Sequence, residues 1–231
     1  MVKRFFQLVH REMRGLHEAA YLLGTFAFFS QILALVRDRL LAASFGAGSA
    51  LDAYFAAFRI PDLILISAAS LVSASILIPL LVSREREDAD HEKAFVDSVF
   101  SAFFIGIVGI AALAFFAAPR LVPLFFPGFT ESLAAETVLL TRIMLLQPIL
   151  LGISNLFGSI LQTKGRFFVY AVSPLLYNLG IIVGIVFLEP LLGLSGLAWG
   201  VVLGALLHAF VQVPSVARTK LLPRATLRMQ W

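Results

Sequence analysis

The chain has 231 residues, of which 60% are hydrophobic and 14% charged, with a mean hydropathy of +0.93. That composition excludes a soluble globular domain and identifies an integral membrane protein. The net charge of +4 and the pI near 9.8 raise nucleic acid as a partner. The basic residues, however, lie in short segments between apolar runs, with no basic patch interleaved with aromatics, so membrane lipids and not nucleic acid are the expected contact.

Residues 1–18 are basic and mildly amphipathic, with Phe5, Phe6, Leu8 and Val9 placed to lie in the interface. A cleaved signal peptide fits poorly, because the apolar run that follows is too long and Arg37-Asp38-Arg39 stands where a small-residue cleavage site belongs. The pattern predicts an all-α bundle of about six transmembrane helices over residues 19–217, then a basic tail over 218–231. Span one covers about 19–45, and Gly46-Ala47-Gly48 turns the chain. Span two covers about 50–83 as one helix kinked at Pro61. A solvated run of mixed charge, SREREDADHEK, follows. Span three covers 94–118 and ends before Pro119, and RLVPLFFPGFTES reads as an interfacial loop. Span four covers 132–162 with Arg142, Pro148 and Asn155, span five 167–188 with Pro174 and Asn178, and span six 195–217. With no Cys in the chain, disulfides are excluded.

Lys and Arg fall on one side of this arrangement. Lys3, Arg4, Arg11 and Arg14 precede span one, Arg84, Arg86 and Lys93 follow span two, Lys164 and Arg166 follow span four, and Arg218, Lys220, Arg224 and Arg228 occupy the tail. Arg120 stands alone on the other side. Both termini are therefore expected in the cytoplasm, in a multi-pass protein of a bacterial cytoplasmic (inner) membrane.

Arg37, Asp38 and Arg39 follow eighteen uncharged residues, Ala19 to Val36. An Arg at membrane depth costs between ~2.5 and ~17 kcal/mol, so it stays only where it faces a partner or a watery cavity. Ending span one at Val36 would put these charges outside, against the charge bias. Continuing the helix through Leu40-Leu41-Ala42-Ala43 leaves them part-way down it, facing protein or water.

At these residues the sequence resembles the MurJ/MviN family of lipid II flippases, in the multidrug/oligosaccharidyl-lipid/polysaccharide exporter superfamily. The matching pieces are VRDRLLAASFGAG, LDAYFAAFRIPDL, PGF at Pro127–Phe129, and the stretch from Leu145 to Gly184. The resemblance implies one lobe of a two-lobe bundle of about fourteen helices. It also implies a central cationic cavity that alternates between the two faces of the membrane and binds the diphosphate and sugars of undecaprenyl-linked peptidoglycan precursor. Arg37 and Asp38 match the family's Arg-Asp pair and Asp52 its acidic residue at the start of the second helix. Gln31 stands where the family has an arginine. Leu65 and Ile66 stand where it has two more, and Ser70 stands near its usual Glu-Gly.

The candidate substrate-binding residues are Arg37, Asp38, Asp52, Arg59 and Arg142. A guanidinium offers a diphosphate a planar, bidentate, permanently charged partner, and an internal ion pair that only sets packing is the alternative for Arg37. Asp38 either holds an arginine rotamer or is a plain counter-charge. Arg39 points about 200° round the helix from Arg37, which makes it an interface residue. Asp52 and Arg59, seven apart, share a helical face, and Arg59 and Asp62 read as a local ion pair at a helix end. Arg142 either extends the cavity charge or lies near the outer interface. Asn155, Gln162, Asn178 and Gln212 read as hydrogen-bonding links between helices, and His208 as a packing residue and not a proton relay.

No HExxH, GxSxG or P-loop occurs, and acids and His do not recur at metal-ligand spacing. No enzymatic activity, metal or cofactor is therefore expected. The leading reading is a flippase lobe moving lipid II, or a related undecaprenyl-diphosphate-linked sugar, with a second lobe supplied by another chain or by self-association. The alternatives are a truncated or degenerate homologue without transport, a scaffold subunit, or a flippase for another lipid-linked oligosaccharide.

Overall fold

The computed structural model describes residues 16–71, 74–85 and 89–226, and among them every regular element is helical. Most of the amphipathic segment at 1–18, Arg86, and the end of the tail lie outside the described residues. Among the described residues, five segments are long and apolar enough to cross a membrane: His17–Phe45, Asp90–Phe125, Glu131–Thr163, Phe167–Leu192 and Leu194–Arg218. The protein is a multi-pass membrane helix bundle.

Helix α1, Leu16–Phe45, matches span one and carries Arg37 within it. It ends where Gly46 takes φ +60 and its N–H returns to the Ala42 carbonyl at 2.9 Å, a conformation that a glycine adopts without strain.

Span two departs from expectation. It is broken into α2 (Ser49–Ala57), α3 (Arg59–Leu71) and α4 (Ala74–Glu85), with the first break at Phe58. Pro61 has no N–H to give the Ala57 carbonyl four residues back, and its ring crowds that oxygen. The hydroxyl of Thr141 donates to the freed carbonyl at 3.4 Å, the kind of repair that lets a membrane helix tolerate proline. The broken helix still traverses the bundle. Tyr54 enters one apolar cluster with Leu140 and Leu197, Ile60 and Ile64 enter a second with Ile107 and Val122, and Leu81 enters a third with Leu156 and Phe95.

Span three also differs, because α5 (Ala89–Phe125) runs through Pro119 and Pro123 instead of ending before them. Pro119 frees the Phe115 carbonyl, and Arg142 Nε donates to that oxygen at 3.1 Å. Only Phe126–Thr130 of the expected interfacial loop is non-helical.

Helices α6 (Glu131–Met144) and α7 (Leu146–Thr163) form span four with a turn at Leu145. Thr130 caps α6 by accepting the Leu133 N–H at 3.3 Å. Span five is α8 (Phe167–Val183), a π-helical turn over Gly184–Leu188, and the short α9 (Glu189–Leu192). Span six is α10 (Leu194–Phe210) followed by α11 (Val213–Arg218). The two spans cross with backbones in contact. A Cβ on Gly180 would sit 2.3 Å from Gly204 Cα, and one on Gly184 2.5 Å from Gly200 Cα. Glycine at four-residue spacing on both helices is what permits that approach.

The charged ends of four elements converge at one end of the bundle. Lys164 pairs with Glu92 at 2.9 Å, Lys93 pairs with Asp97, and Arg166 Nη1 donates to the Ser215 carbonyl at 2.9 Å. The Arg224 N–H donates to Asp97 at 2.8 Å and the Thr226 N–H to Ser101 at 2.8 Å, while Leu221 is buried. The acidic run is thus not wholly solvated, since Glu92 is buried in an interhelical ion pair. The tail, as far as it is described, lies along α5.

Candidate functional site

The local breaks in span two leave a recess between α1, α2, α3 and the Phe126–Phe129 turn. Its volume is about 550 Å³, and Arg37, Asp38, Asp52, Arg59 and Asp62 line it together with Tyr54 and Tyr177. Four of the five candidate residues meet there although they are spread over three helices.

Arg37 is held from two sides. Nε donates to Asp38 Oδ1 at 2.9 Å, Nη2 pairs with the same oxygen at 2.8 Å, and Nη1 donates to Asn178 Oδ1 at 3.0 Å. A guanidinium has five N–H donors, so one on each terminal nitrogen stays available. Asn178 is in turn fixed by donating to Ser30 Oγ at 3.1 Å and to the Pro174 carbonyl at 3.2 Å. Asp38 therefore orients the arginine, and the Asn178 link joins span five to span one, as expected of an interhelical hydrogen-bonding residue. The Arg37 side chain is 23% exposed and Asp38 55%. The pair is reachable from the recess and not sealed in protein.

Asp52 and Arg59 both reach the recess, yet from different helices, since the turn at Phe58 separates α2 from α3. The shared face that their spacing implied is therefore not one continuous helical face. Asp62 lines the recess together with Arg59 and lies near the Gln147 side chain. Gln147, itself buried, donates to the Tyr177 hydroxyl at 3.2 Å. Sequence reasoning misses Tyr54, Gln147 and Tyr177, which carry no charge to mark them as site residues.

Arg142 is not among the lining residues. Its Nε is committed to the Phe115 carbonyl, and its guanidinium carbon lies 4.7 Å from the centre of the Phe115 ring. The proline that frees that carbonyl holds Arg142 on another face of the bundle, so it does not extend the cavity charge. Arg39 is exposed and also lies outside the recess.

The lining of this recess is not cationic. Three aspartates face two arginines, whereas the resemblance implied a positive cavity. A second recess of about 410 Å³ shares Arg59, Asp62 and Phe126 with the first and is completed by Ile66. Of the two positions on α3 where the resemblance leads one to expect arginine, Ile66 faces this extension and Leu65 does not line it.

His208 belongs to a separate buried knot. Its Nδ1 lies 2.7 Å from Ser154 Oγ, which also accepts from Gln212 Nε2 at 2.6 Å. Gln212 thus joins spans four and six, as expected. Gln162 instead donates to Gly158 of its own helix.

Known proteins resemble this chain in both sequence and fold. The family model described as lipid II flippase MurJ matches residues 41–231, beginning four residues after Arg37. The lipid II flippase MurJ of Burkholderia cenocepacia is 29% identical over 217 residues, which cover 90% of this chain and 42% of that protein. The lipid II flippase MurJ of Thermosipho africanus is 32% identical over 196 residues, covering 84% of this chain and 40% of that protein. A solved structure of lipid II flippase MurJ in an inward closed conformation superposes with a TM-score of 0.76 at 26% identity, over 90% of this chain and 44% of that one. The chain thus spans about two-fifths of the length of these relatives.

Proposed function

This chain belongs to the MurJ family of lipid II flippases, and from that premise we propose that it is one lobe of such a transporter. It would engage the diphosphate of lipid II, or of a related undecaprenyl-diphosphate-linked sugar, at the recess around Arg37. The observation that carries the proposal is Arg37 itself, a guanidinium within a membrane span, pre-oriented by Asp38 and Asn178, with N–H donors left over. A fork fixed before the ligand arrives loses little freedom on binding.

With three aspartates against two arginines in the recess, this lobe does not neutralise a diphosphate alone. A second lobe, from another chain or from self-association, would face the recess, supply further cations and alternate with this one between the two sides of the membrane. Arg59 would be the second ligand, with Asp38, Asp52 and Asp62 steering the arginines. Arg142 has no part in this reading. Transport of this kind is movement between compartments and needs no covalent chemistry.

The cytoplasmic membrane, with both termini inside, is the orientation that the charge bias supports. The convergence of Lys93, Lys164, Arg166 and Arg224 at one end is consistent with it.

The test is native mass spectrometry of the full chain with an undecaprenyl diphosphate and an undecaprenyl alcohol. Retention of the diphosphate over the alcohol supports the reading, and equal retention overturns it. Single-cysteine labelling on the Cys-free background tests the orientation. Ser49→Cys and Ser195→Cys are expected to react from outside and Ala217→Cys from inside; the reverse pattern would invert the proposed topology.

A further inference from the structure

The face of the bundle away from the recess carries a groove of about 620 Å³ between α5, α6, α7 and α10. Val108, Ala112, Phe116, Leu139 and Trp199 wall it, and Arg142 is its one charged lining residue. It shares no residue with the recess around Arg37. Phe116 is 72% exposed and Trp199 42%, so the groove opens sideways.

Arg142 spends its Nε on the Phe115 carbonyl. Among the described residues its two terminal nitrogens have no hydrogen-bond partner, and no Asp or Glu lines the groove. Those terminal nitrogens are therefore open to an anion from outside the chain.

Its depth says where the anion comes from. Glu131 and Glu136 on the first turns of α6 are exposed carboxylates, and charges without a partner stay out of hydrocarbon, which puts those turns outside it. Arg142 follows Glu136 by six residues, about 9 Å along the axis. Trp199 lies about 8 Å below the start of α10. Trp and Arg at that depth both belong to the headgroup region, the ring at the interface and the guanidinium reaching up to it.

We propose that this groove is a binding site for an anionic phospholipid of the leaflet at that end, with an acyl chain along the Phe116–Leu139 wall and the phosphate on Arg142. The site does not depend on lipid II transport. It ties a lipid to the helix at Pro119, because the arginine that takes the phosphate also holds the carbonyl that the proline releases.

Trp199 reports on the groove directly. The chain has two tryptophans, so Trp231→Phe leaves Trp199 as the sole emitter. The full chain is reconstituted in equimolar vesicles of phosphatidylglycerol and phosphatidylcholine in which one or the other lipid carries brominated chains. Relative association with the anionic lipid should exceed that with the zwitterionic one by about fivefold. That factor corresponds to the roughly 1 kcal/mol contributed by a basic residue near anionic lipid. Arg142→Gln should bring the ratio close to one, while Arg120→Gln leaves it unchanged. Because losing the Phe115 contact threatens folding, Arg142→Lys provides a second reading, keeping the charge and most of the preference. Ala112→Phe, which fills the groove, should lower quenching by both lipids. Equal quenching in the Trp231→Phe protein, or a preference that survives Arg142→Gln, overturns the proposal. So does shielding of Trp199 from both lipids, as a second protein copy seated on the groove would give.

Discussion

Where α8 crosses α10, glycine faces glycine and the backbones touch; where α1 packs along α8, side chains make the contact and a polar knot pins it. The first crossing buries Leu197, Val201 and Ala205 completely. Along α1, Tyr21 is 79% exposed and Leu35 69%, and the helix is anchored by Ser30, Asn178 and Arg37, by the edge contact of Phe26 with Phe168 at 5.5 Å, and by Leu41. Arg37 and Asp38 sit on this less buried side, while Asp52, Arg59 and Asp62 reach the recess from α2 and α3. A region secured by hydrogen bonds can exchange partners when a charged ligand arrives, whereas close-packed backbones tolerate little change in their spacing. The tight crossing is the frame, and α1 brings Arg37 and Asp38 to the recess from the less buried side.

The largest predicted effect breaks the frame. A Cβ on Gly204 would meet the Tyr177 carbonyl oxygen at 2.4 Å, and backbone cannot move aside as a side chain can. Gly204→Val should destabilise by at least about 3 kcal/mol, the upper part of the overpacking range, and abolish monodisperse protein in size exclusion. On α1, a Cβ at Gly24 would meet nothing within 4 Å, so Gly24→Val should leave the same profile intact.

A smaller effect tests the loose side. Asn178→Leu removes the acceptor for Arg37 and the donor to Ser30, at a cost of about 1–3 kcal/mol. Thermal unfolding should shift accordingly, and α1 should become more accessible to protease than α10. Equal protection of both helices would show that apolar contact, and not the polar knot, secures α1.

The smallest effect concerns the breaks. Thr141→Val withdraws the hydroxyl from the Ala57 carbonyl. At 3.4 Å that bond is long, so the loss should be about 0.5–1 kcal/mol in the same thermal assay. A much larger loss would make the Phe58 turn a critical joint.

These prolines also mark what the sequence can and cannot disclose. Span one is legible because eighteen uncharged residues and a Gly-Ala-Gly turn need no tertiary information. Spans two and three depart from expectation at Pro61 and Pro119, because a proline's effect depends on which distant group takes up the freed carbonyl. Thr141 and Arg142 do so here, from 84 and 27 residues away. Arg142 misleads for the same reason, since its charge suggests a cavity while its partner is a backbone oxygen. Arg37, Asp38, Asp52 and Arg59 are legible as charges at membrane depth. The sign of the recess is not, as it needs the position of Asp62, which local spacing assigns to a helix-end pair with Arg59.

The central claim is that Arg37 serves as a planar, pre-oriented diphosphate ligand. Its most direct measurement is the affinity of a lipid II analogue for three forms of the chain at equal expression: the unaltered protein, Arg37→Lys and Ile66→Arg. Lysine keeps the charge and loses the fork, so Arg37→Lys should weaken binding about tenfold, one strong hydrogen bond's worth. Ile66→Arg, which adds a cation to the adjoining recess, should strengthen it. Equal affinity in all three would contradict the account and leave Arg37 as an ion pair that only packs span one against span five.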